Sequence, residues 1–204
     1  TKQCSLKYQN ELRNEILSNP NSIVIIGGRL PVYLTGKHFN NMEGGIEIAE
    51  PAKFEFEHVE KKYDFKKGLQ VSALELAKNN NKVILIYPIP PVGWNVPNKL
   101  FQDIPKRYIK EIEKNFNKNP ITTSYKVYKD RTKESFKIFD QIQHKNIYRV
   151  YPHTVFCDNI IKERCITHDN KNIFYYDDDH LSSAGSLKVI ELIMKQIKKI
   201  ELDK

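Results

Sequence analysis

Apolar residues along the chain fall into short continuous runs and longer stretches with helical spacing. The runs SIVIIGG, KVILIYPIP, NIYRVYP and NIFYY have the length and the β-branched or aromatic character of buried strands. Helical spacing covers residues 6–17, 69–78, 100–117 and 124–143, and a last segment that begins near residue 187. Because such strands alternate with amphipathic helices, the pattern predicts an α/β fold with a mostly parallel sheet covered on both faces.

The sequence also predicts which face of the last helix is buried and where the chain forms a long loop. Apolar residues of the last helix recur at Leu187, Ile190, Met194 and Ile197, so this face is predicted to pack on the sheet. Residues 29–66 lack periodicity and contain paired glycines and a proline. They are predicted to form a long loop region with room for one short strand.

The size and composition of the chain narrow its class. It has 204 residues, 40% of them hydrophobic, which predicts a single domain over residues 1–204. No apolar run reaches the roughly 18 residues of a membrane span, and the polar start lacks signal-peptide character, so an export signal or anchor is expected only outside this sequence. The net charge of +8 comes from scattered lysines, which disfavours nucleic-acid binding. An anionic polysaccharide or a phospholipid surface suits this charge equally well.

Two of the three cysteines, Cys157 and Cys165, delimit the short predicted loop FCDNIIKERC. No histidine lies at a spacing that would complete a zinc site. Two independent thiols in a reducing compartment and one disulfide in an oxidising compartment both fit this pattern.

Candidate functional residues follow three of the predicted strands. In an open parallel sheet, such residues gather at the carboxyl ends of strands. Gly27, Gly28 and Arg29 follow the first run, the proline-rich stretch 88–97 follows the second, and three aspartates leading into His180 follow NIFYY. The topology therefore predicts that the three stretches converge.

The acidic stretch is the strongest candidate for chemistry. A carboxylate that fixes the tautomer of an imidazole makes it a general base, and a tight turn brings Asp177 to His180, three residues later. Asp179 is adjacent to the histidine and is expected to point elsewhere, as a cap of the following helix, where Ser182 and Ser183 are also candidate N-caps. A divalent metal site and a solvated cap without chemistry are the alternatives.

Five motifs, in one order along the chain, carry a resemblance to a known family. They are SIVIIGGRLPVYLTG, EGGIE, YPIPPVGWNVP, VYPHTVFCD and YYDDDHLSSAG, and together they span residues 22–185. The sequence resembles the SGNH-type domains that lie behind the membrane part of acyltransferase-3 family proteins, which O-acylate bacterial surface polysaccharides. The resemblance implies a flavodoxin-like three-layer sandwich and a Ser-Asp-His triad in which Asp177 orients His180.

The chain departs from the family pattern at the nucleophile. The family's Gly-Asp-Ser stretch is absent, so the nucleophile strand is expected upstream of Thr1, and the domain is expected to lack its first strands. The wider superfamily has oxyanion donors in a Gly-x-Asn stretch, where this sequence reads Gly27-Gly28-Arg29. The resemblance implies that Gly28 and Arg29 take this role.

Further residues receive roles within this hypothesis. Trp94 and Asn95, in the proline-rich stretch, either line a pocket for the sugar acceptor or anchor the loop to the core. Tyr125, Tyr128 and Arg131 recur at helical spacing and are interpreted as a packed helix face.

The function implied by the resemblance is transfer of an acyl group, with acetyl expected, to a bacterial cell-surface glycan through a serine acyl-enzyme. The expected partners are that glycan and an N-terminal membrane acyltransferase domain of the same protein, with no nucleic acid, no metal and no other cofactor. The implied location is the periplasmic or extracytoplasmic face of the bacterial inner membrane, where a disulfide between Cys157 and Cys165 is favoured. A carbohydrate esterase and a non-catalytic glycan-binding or partner-binding domain are the alternatives.

Overall fold

The computed structural model describes residues 6–47, 65–102 and 109–202. The elements of these ranges, in chain order, are α1 (Leu6–Ser18), β1 (Ile23–Ile26), α2 (Leu30–Thr35), α3 (Phe65–Lys78), β2 (Lys82–Ile86), α4 (Val96–Leu100), α5 (Ile109–Lys118), β3 (Thr122–Ser124), α6 (Tyr125–Asp140), β4 (Ile147–Val150), α7 (His153–Phe156), β5 (Arg164–Ile166) and α8 (Ser183–Leu202). Within the described ranges, no helix combines the length and the apolar composition that crossing a membrane requires.

The central sheet is parallel and has the strand order β1-β2-β4. Ile25 of β1 lies opposite Ile84 of β2, and Leu85 of β2 lies opposite Arg149 of β4. The predictions of parallel strands in SIVIIGG, KVILIYPIP and NIYRVYP are therefore confirmed, as β1, β2 and β4. Their carboxyl ends lie at one edge of the sheet, which is where the functional residues are expected.

The run NIFYY does not form a strand, so this prediction is wrong. The chain here makes isolated antiparallel bridges instead, between His168 and Ile173 and between Tyr175 and Leu181. Phe174 and Tyr175 are buried in the core although they do not join a sheet. A continuous apolar run indicates burial, and it does not distinguish a strand from a buried turn.

Helices cover both faces of the sheet, which confirms the α/β class and the three-layer arrangement. Side chains along β2 alternate between two hydrophobic clusters because successive residues of a strand point to opposite faces. Val83 and Leu85 pack with Leu76 of α3 on one face. Ile84 packs with Val189 of α8 on the other.

The face of α8 that packs on the sheet differs from the predicted one. Val189 and Ile200 are buried, and Ile197 is partly buried. The other three residues of the predicted face are exposed: Leu187 (58%), Ile190 (46%) and Met194 (44%). Because α8 has apolar residues on two adjacent faces, periodicity alone did not select the one that contacts the sheet.

The segments between strands contain elements that the sequence did not predict. The expected loop 29–66 includes α2, with Pro31 in its first turn, where the missing N–H costs nothing. Residues 48–64 of that segment lie outside the described ranges. Of the helix predicted over residues 100–117, Leu100 ends α4, residues 101–102 form a turn, and the part from residue 109 is α5; residues 103–108 are not described. Finally, β3 and β5 form a small antiparallel sheet.

Cys157 and Cys165 form a disulfide, so the predicted pairing of these cysteines is confirmed. The same two residues make an antiparallel bridge. The predicted loop between them is confirmed, because residues 158–163 form bends and turns between the end of α7 and the start of β5. A covalent bond therefore fixes the segment that precedes the acidic residues.

The outer edge of β1 has no partner strand among the described residues. Ile23 and Ile25 on this strand are exposed, which is unusual for a strand of a parallel sheet. Because Ile25 lies opposite Ile84, the exposed apolar surface is on the α8 side of the sheet. An open edge with apolar neighbours is a surface on which a further strand can pair.

Candidate active site

A cleft of about 390 Å³ opens at the carboxyl ends of β1 and β2. Gly28 lines it after β1, Pro88 lines it after β2, and His180 comes from the bend formed by residues 176–182, here called the acidic turn. The predicted convergence of the three stretches is therefore confirmed. Most of the remaining lining side chains are apolar.

Backbone hydrogen bonds shape the acidic turn. The N–H of Tyr176 donates to the carbonyl of His180 at 2.8 Å, and the N–H of Ser182 donates to the carbonyl of Phe174 at 2.9 Å. The Ser182 hydroxyl accepts from the N–H of Gly185 at 3.2 Å, so Ser182 is the N-cap of α8. A glycine is needed at 185 because a Cβ there would lie 2.1 Å from the carbonyl oxygen of Phe174.

Asp177 contacts His180 through both of its carboxylate oxygens. Oδ1 accepts the backbone N–H of Asp179 at 3.0 Å and that of His180 at 2.7 Å. Oδ2 lies 2.9 Å from Nδ1 of the imidazole. The ring is 66% exposed and lines the cleft. The D-x-x-H spacing thus produces the contact that a carboxylate-oriented base requires.

Asp179 also contacts the histidine ring, which corrects the expectation that it points elsewhere. Its Oδ1 lies 2.9 Å from Nδ1 of His180, and its side chain is only 10% exposed. Nδ1 therefore faces two carboxylates, one from Asp177 and one from Asp179. Sequence adjacency did not separate the side chains because the backbone reverses direction within the turn.

The two carboxylates differ in their electrostatics. The hydrogen bond that the imidazole makes to Asp177 raises the pKa of His180 against the opposing effect of burial, and the negative charges of Asp179 and Asp177 add to the increase. Partial burial alone would raise the pKa of Asp177, but two backbone N–H donors and the imidazole hold it below its usual value. Burial raises the pKa of Asp179, and Arg29 only partly opposes this. Asp177 is therefore the more firmly ionised partner of the ring.

Arg29 connects the end of β1 to the acidic turn. Its Nη2 lies 3.0 Å from Oδ2 of Asp179, and it also forms an ion pair with the buried carboxylate of Glu47. Glu47 Oε2 accepts the backbone N–H of Phe39 at 2.9 Å. No role was predicted for Glu47, although it is the last residue of the motif EGGIE. The two carboxylates neutralise most of the charge of Arg29.

Residues 88–97, here called the proline loop, hold the acidic turn in place. The backbone N–H groups of Val92 and Gly93 donate to the carbonyl of Asp178 at 2.9 and 3.1 Å. The N–H of Val96 donates to the carbonyl of Asp177 at 3.2 Å. Asp179, His180 and Leu181 of the turn line the cleft, and the proline loop binds the backbone of the turn.

The model of the family described as SGNH domain (fused to AT3 domains) matches residues 1–195. The chain belongs to the SGNH domain family. Neither the curated proteins nor the solved structures contain a match to it. The family description states that SGNH domains of this kind are fused to AT3 domains, which indicates an acyltransferase-associated SGNH domain.

Trp94 and Asn95 of the SGNH domain do not line the cleft, which corrects their assignment to an acceptor pocket. The Asn95 side chain accepts the backbone N–H of Asn98 at 2.9 Å and caps α4. Trp94 packs against the core, with Lys99 Nζ 4.3 Å from its ring centroid. Of the two roles considered for these residues, the structure favours loop anchoring.

Two further side chains of the SGNH domain line the cleft without having been assigned to it. Arg131 of α6 was interpreted as part of a packed face, yet it borders the same cavity as His180. Ser186 of α8 also borders it, and no hydrogen bond joins Ser186 to His180. Arg131 lies away from the quoted motifs, and Ser186 directly follows YYDDDHLSSAG but was expected only as part of the following helix.

Asp177, Asp179 and His180 also fit the distance requirement for a metal site, since one ligand atom of each lies within 4.8 Å of the others. In the SGNH domain these atoms are already used in hydrogen bonds and ion pairs with one another and with Arg29. A guanidinium beside Asp179 disfavours a second cation there. The arrangement is better matched to orienting an imidazole.

Proposed function

We propose that this SGNH domain is the extracytoplasmic acyl-transfer domain of an acyltransferase-3-type protein, and that it passes an acyl group, acetyl in the simplest case, to a hydroxyl of a bacterial cell-surface glycan. The observation that supports the proposal is the contact of Asp177 with His180, whose ring lines the cleft. The family's fusion to AT3 domains supports the acyl chemistry. The disulfide between Cys157 and Cys165 supports an oxidising, extracytoplasmic location.

In the proposed reaction, Nε2 of His180 removes the proton of a serine hydroxyl, and the serine oxygen attacks the carbonyl carbon of the donor ester. The imidazolium then gives this proton to the departing group. In the second half, His180 takes the proton of a sugar hydroxyl, whose oxygen attacks the acyl-serine, and the serine recovers a proton from the ring. Asp177 stabilises each imidazolium, and Gly28 with Arg29 is assigned to the oxyanion.

The serine nucleophile is proposed to lie on a strand that pairs with the outer edge of β1. That edge is open among the described residues, and the exposed Ile25 would be covered by such a strand. The carboxyl end of a strand in this position would lie beside Gly28, because neighbouring parallel strands end together. Ser186 is the competing candidate, and its place inside a helix without a bond to His180 disfavours it.

The test uses the intact protein and compares His180→Ala with wild type in ester hydrolysis and in glycan acylation. Loss of the base is expected to lower kcat/KM by roughly 10²- to 10⁴-fold. His144→Ala, which removes a histidine away from the cleft, serves as the matched control. Equal rates for His180→Ala and wild type would remove His180 from the mechanism.

A second measurement identifies the nucleophile. A fluorophosphonate that reacts with activated serines is added to the intact protein, and the labelled peptide is sequenced. The expected label is on a serine outside residues 6–47, 65–102 and 109–202, and it is lost in His180→Ala. A label on Ser186 would contradict the proposed strand, and transfer to water in place of sugar would reassign the domain as an esterase.

A further inference from the structure

Arg131 is a cation of the cleft whose described partners are neutral. It lies on α6, is half-buried, and borders the cavity that His180 also borders. Its Nη1 donates to the hydroxyl of Thr35 at 2.7 Å, and its Nη2 donates to the backbone carbonyl of Lys37. Both acceptors are uncharged oxygens, so they orient the guanidinium without neutralising it.

Arg29, the other arginine of the cleft, is in the opposite situation. It is held between the carboxylates of Glu47 and Asp179. Throughout the described part of the chain, no carboxylate forms an ion pair with Arg131. The acidic groups that line the cavity are thus used by Arg29 and by His180, and the charge of Arg131 is left for another partner.

The surroundings of Arg131 disfavour its charge. Burial lowers the pKa of its guanidinium, and the positive charge of Arg29 adds to this effect. A partly buried charge without a counter-ion costs stability, and such costs are concentrated at functional sites. Thr35 and Lys37 hold the group in place before any ligand binds, which reduces the entropy that binding has to offset.

The cavity between Arg131 and His180 is largely apolar. Phe39, Ile86 and Ile89 are among the side chains that line it. An attraction between opposite charges is stronger beside apolar walls than in open water. A ligand with an anionic group near Arg131 therefore gains both a charge-assisted hydrogen bond and a fixed orientation relative to the imidazole.

We propose that Arg131 binds an anionic group of the substrate, a carboxylate or a phosphate, and thereby positions the reacting ester or hydroxyl at His180. This inference rests on the proposed function, since it names a class of substrate for the same site. The anionic group belongs either to a sugar of the glycan, which the net charge of +8 would also attract, or to the acyl chain. Arg131 is in this view a specificity-determining residue.

The test measures kcat/KM of the intact protein in two matched arms. In the first arm, an O-acetylated methyl glucuronide is compared with the O-acetylated methyl glucoside, so that the charge is on the sugar. In the second arm, a succinyl ester is compared with an acetyl ester of the same neutral sugar, so that the charge is on the acyl chain. Wild type is expected to prefer the anionic substrate in one arm, and that arm identifies the source of the charge.

Three variants complete the design. Arg131→Gln is expected to lower the anionic-to-neutral ratio of kcat/KM by about tenfold or more, as loss of a charge-assisted hydrogen bond implies. Arg131→Lys keeps the positive charge and should restore part of the ratio, although a lysine lacks the planar fork of the guanidinium. Arg13→Gln removes an exposed arginine that pairs with Glu75 outside the cleft, and it should leave the ratio unchanged.

Failure of this inference is distinguishable from failure of the proposed function. Ester turnover with no anionic preference in either arm, or with the same preference in Arg131→Gln, overturns the role of Arg131 alone. If no ester is turned over, binding of unesterified methyl glucuronide, methyl glucoside and succinate to the intact protein is measured by calorimetry. Binding of an anion that weakens about tenfold in Arg131→Gln and not in Arg13→Gln supports the anion site, and equal binding overturns it.

Discussion

The acidic turn and the proline loop both carry polar or aromatic residues at the carboxyl edge of the sheet, but they use them differently. The acidic turn presents Asp177, Asp179 and His180 to the cleft or to one another. The proline loop directs its Asn95 and Trp94 side chains into its own structure. It contributes backbone N–H groups that bind the turn from behind.

This difference shows that a position near a site does not define a role in it. The proline loop is itself fixed by buried hydroxyls, because Tyr128 donates to the carbonyl of Pro88 at 2.7 Å and Tyr175 donates to that of Pro90 at 2.6 Å. We therefore propose a catalytic role for the acidic turn and a structural role for the proline loop. Substitutions of Asp177 or His180 should change activity more than stability, and substitutions that remove the anchoring contacts of the loop should do the reverse.

The largest expected effect comes from Asp177→Asn. The amide can keep the backbone contacts of Oδ1, but it lacks the charge that stabilises the imidazolium, so kcat/KM of the intact protein should fall by roughly 10²- to 10⁴-fold. Asp179→Asn should lower kcat/KM less than Asp177→Asn does, because burial raises the pKa of Asp179 and its carboxylate also forms an ion pair with Arg29. A larger loss for Asp179→Asn would reverse the assignment of the orienting carboxylate.

The next effect is a shift in the pH profile. A base must be neutral to accept a proton, so kcat/KM falls as pH drops through the pKa of His180, which Asp177 and Asp179 raise above the ordinary histidine value of about 6.5. Removing the charge in Asp177→Asn should move this acid limb to lower pH. The profile of hydrolysis of a neutral ester tests this, and a limb that stays in place or moves upward would contradict it.

The support role of the proline loop predicts a stability effect at Tyr175. Burial raises the pKa of its hydroxyl, which stays protonated and donates to Pro90. Tyr175→Phe leaves that buried carbonyl unpaired and should lower the free energy of unfolding by about 1 to 3 kcal/mol. Tyr176→Phe is the matched control, because Tyr176 is 75% exposed. Pulse proteolysis of the intact protein in urea measures the difference, and equal midpoints would argue against the role.

The smallest effect is expected at Asn95. Asn95→Ala removes the N-cap of α4 and should lower the free energy of unfolding by about 1 kcal/mol, with little change in kcat/KM. Asn98→Ala keeps the backbone N–H that Asn95 binds and is the control. A loss of kcat/KM in Asn95→Ala without a loss of stability would return this residue to the acceptor pocket and break the division between turn and loop.

The parts of the fold and of the site that depend on residues close together in the sequence were predicted correctly. The three parallel strands follow from continuous apolar runs, and the contact of Asp177 with His180 follows from a spacing of three residues across a turn. The predictions for NIFYY and for the buried face of α8 are wrong for the same physical reason. Both segments are apolar on more than one side, and the rest of the core decides which side is used.

The α/β class, the family and the pair formed by Asp177 and His180 could be predicted from the amino-acid sequence, because each of these depends on residue type and short spacing. The packing of the layers decided that Arg29 forms ion pairs with Glu47 and Asp179 and that Arg131 borders the cleft, because these contacts join segments far apart in the chain. Asp179 contacts the neighbouring imidazole because backbone hydrogen bonds hold the acidic turn in a bend. Residue types and short spacings do not specify which distant side chains pack against one another.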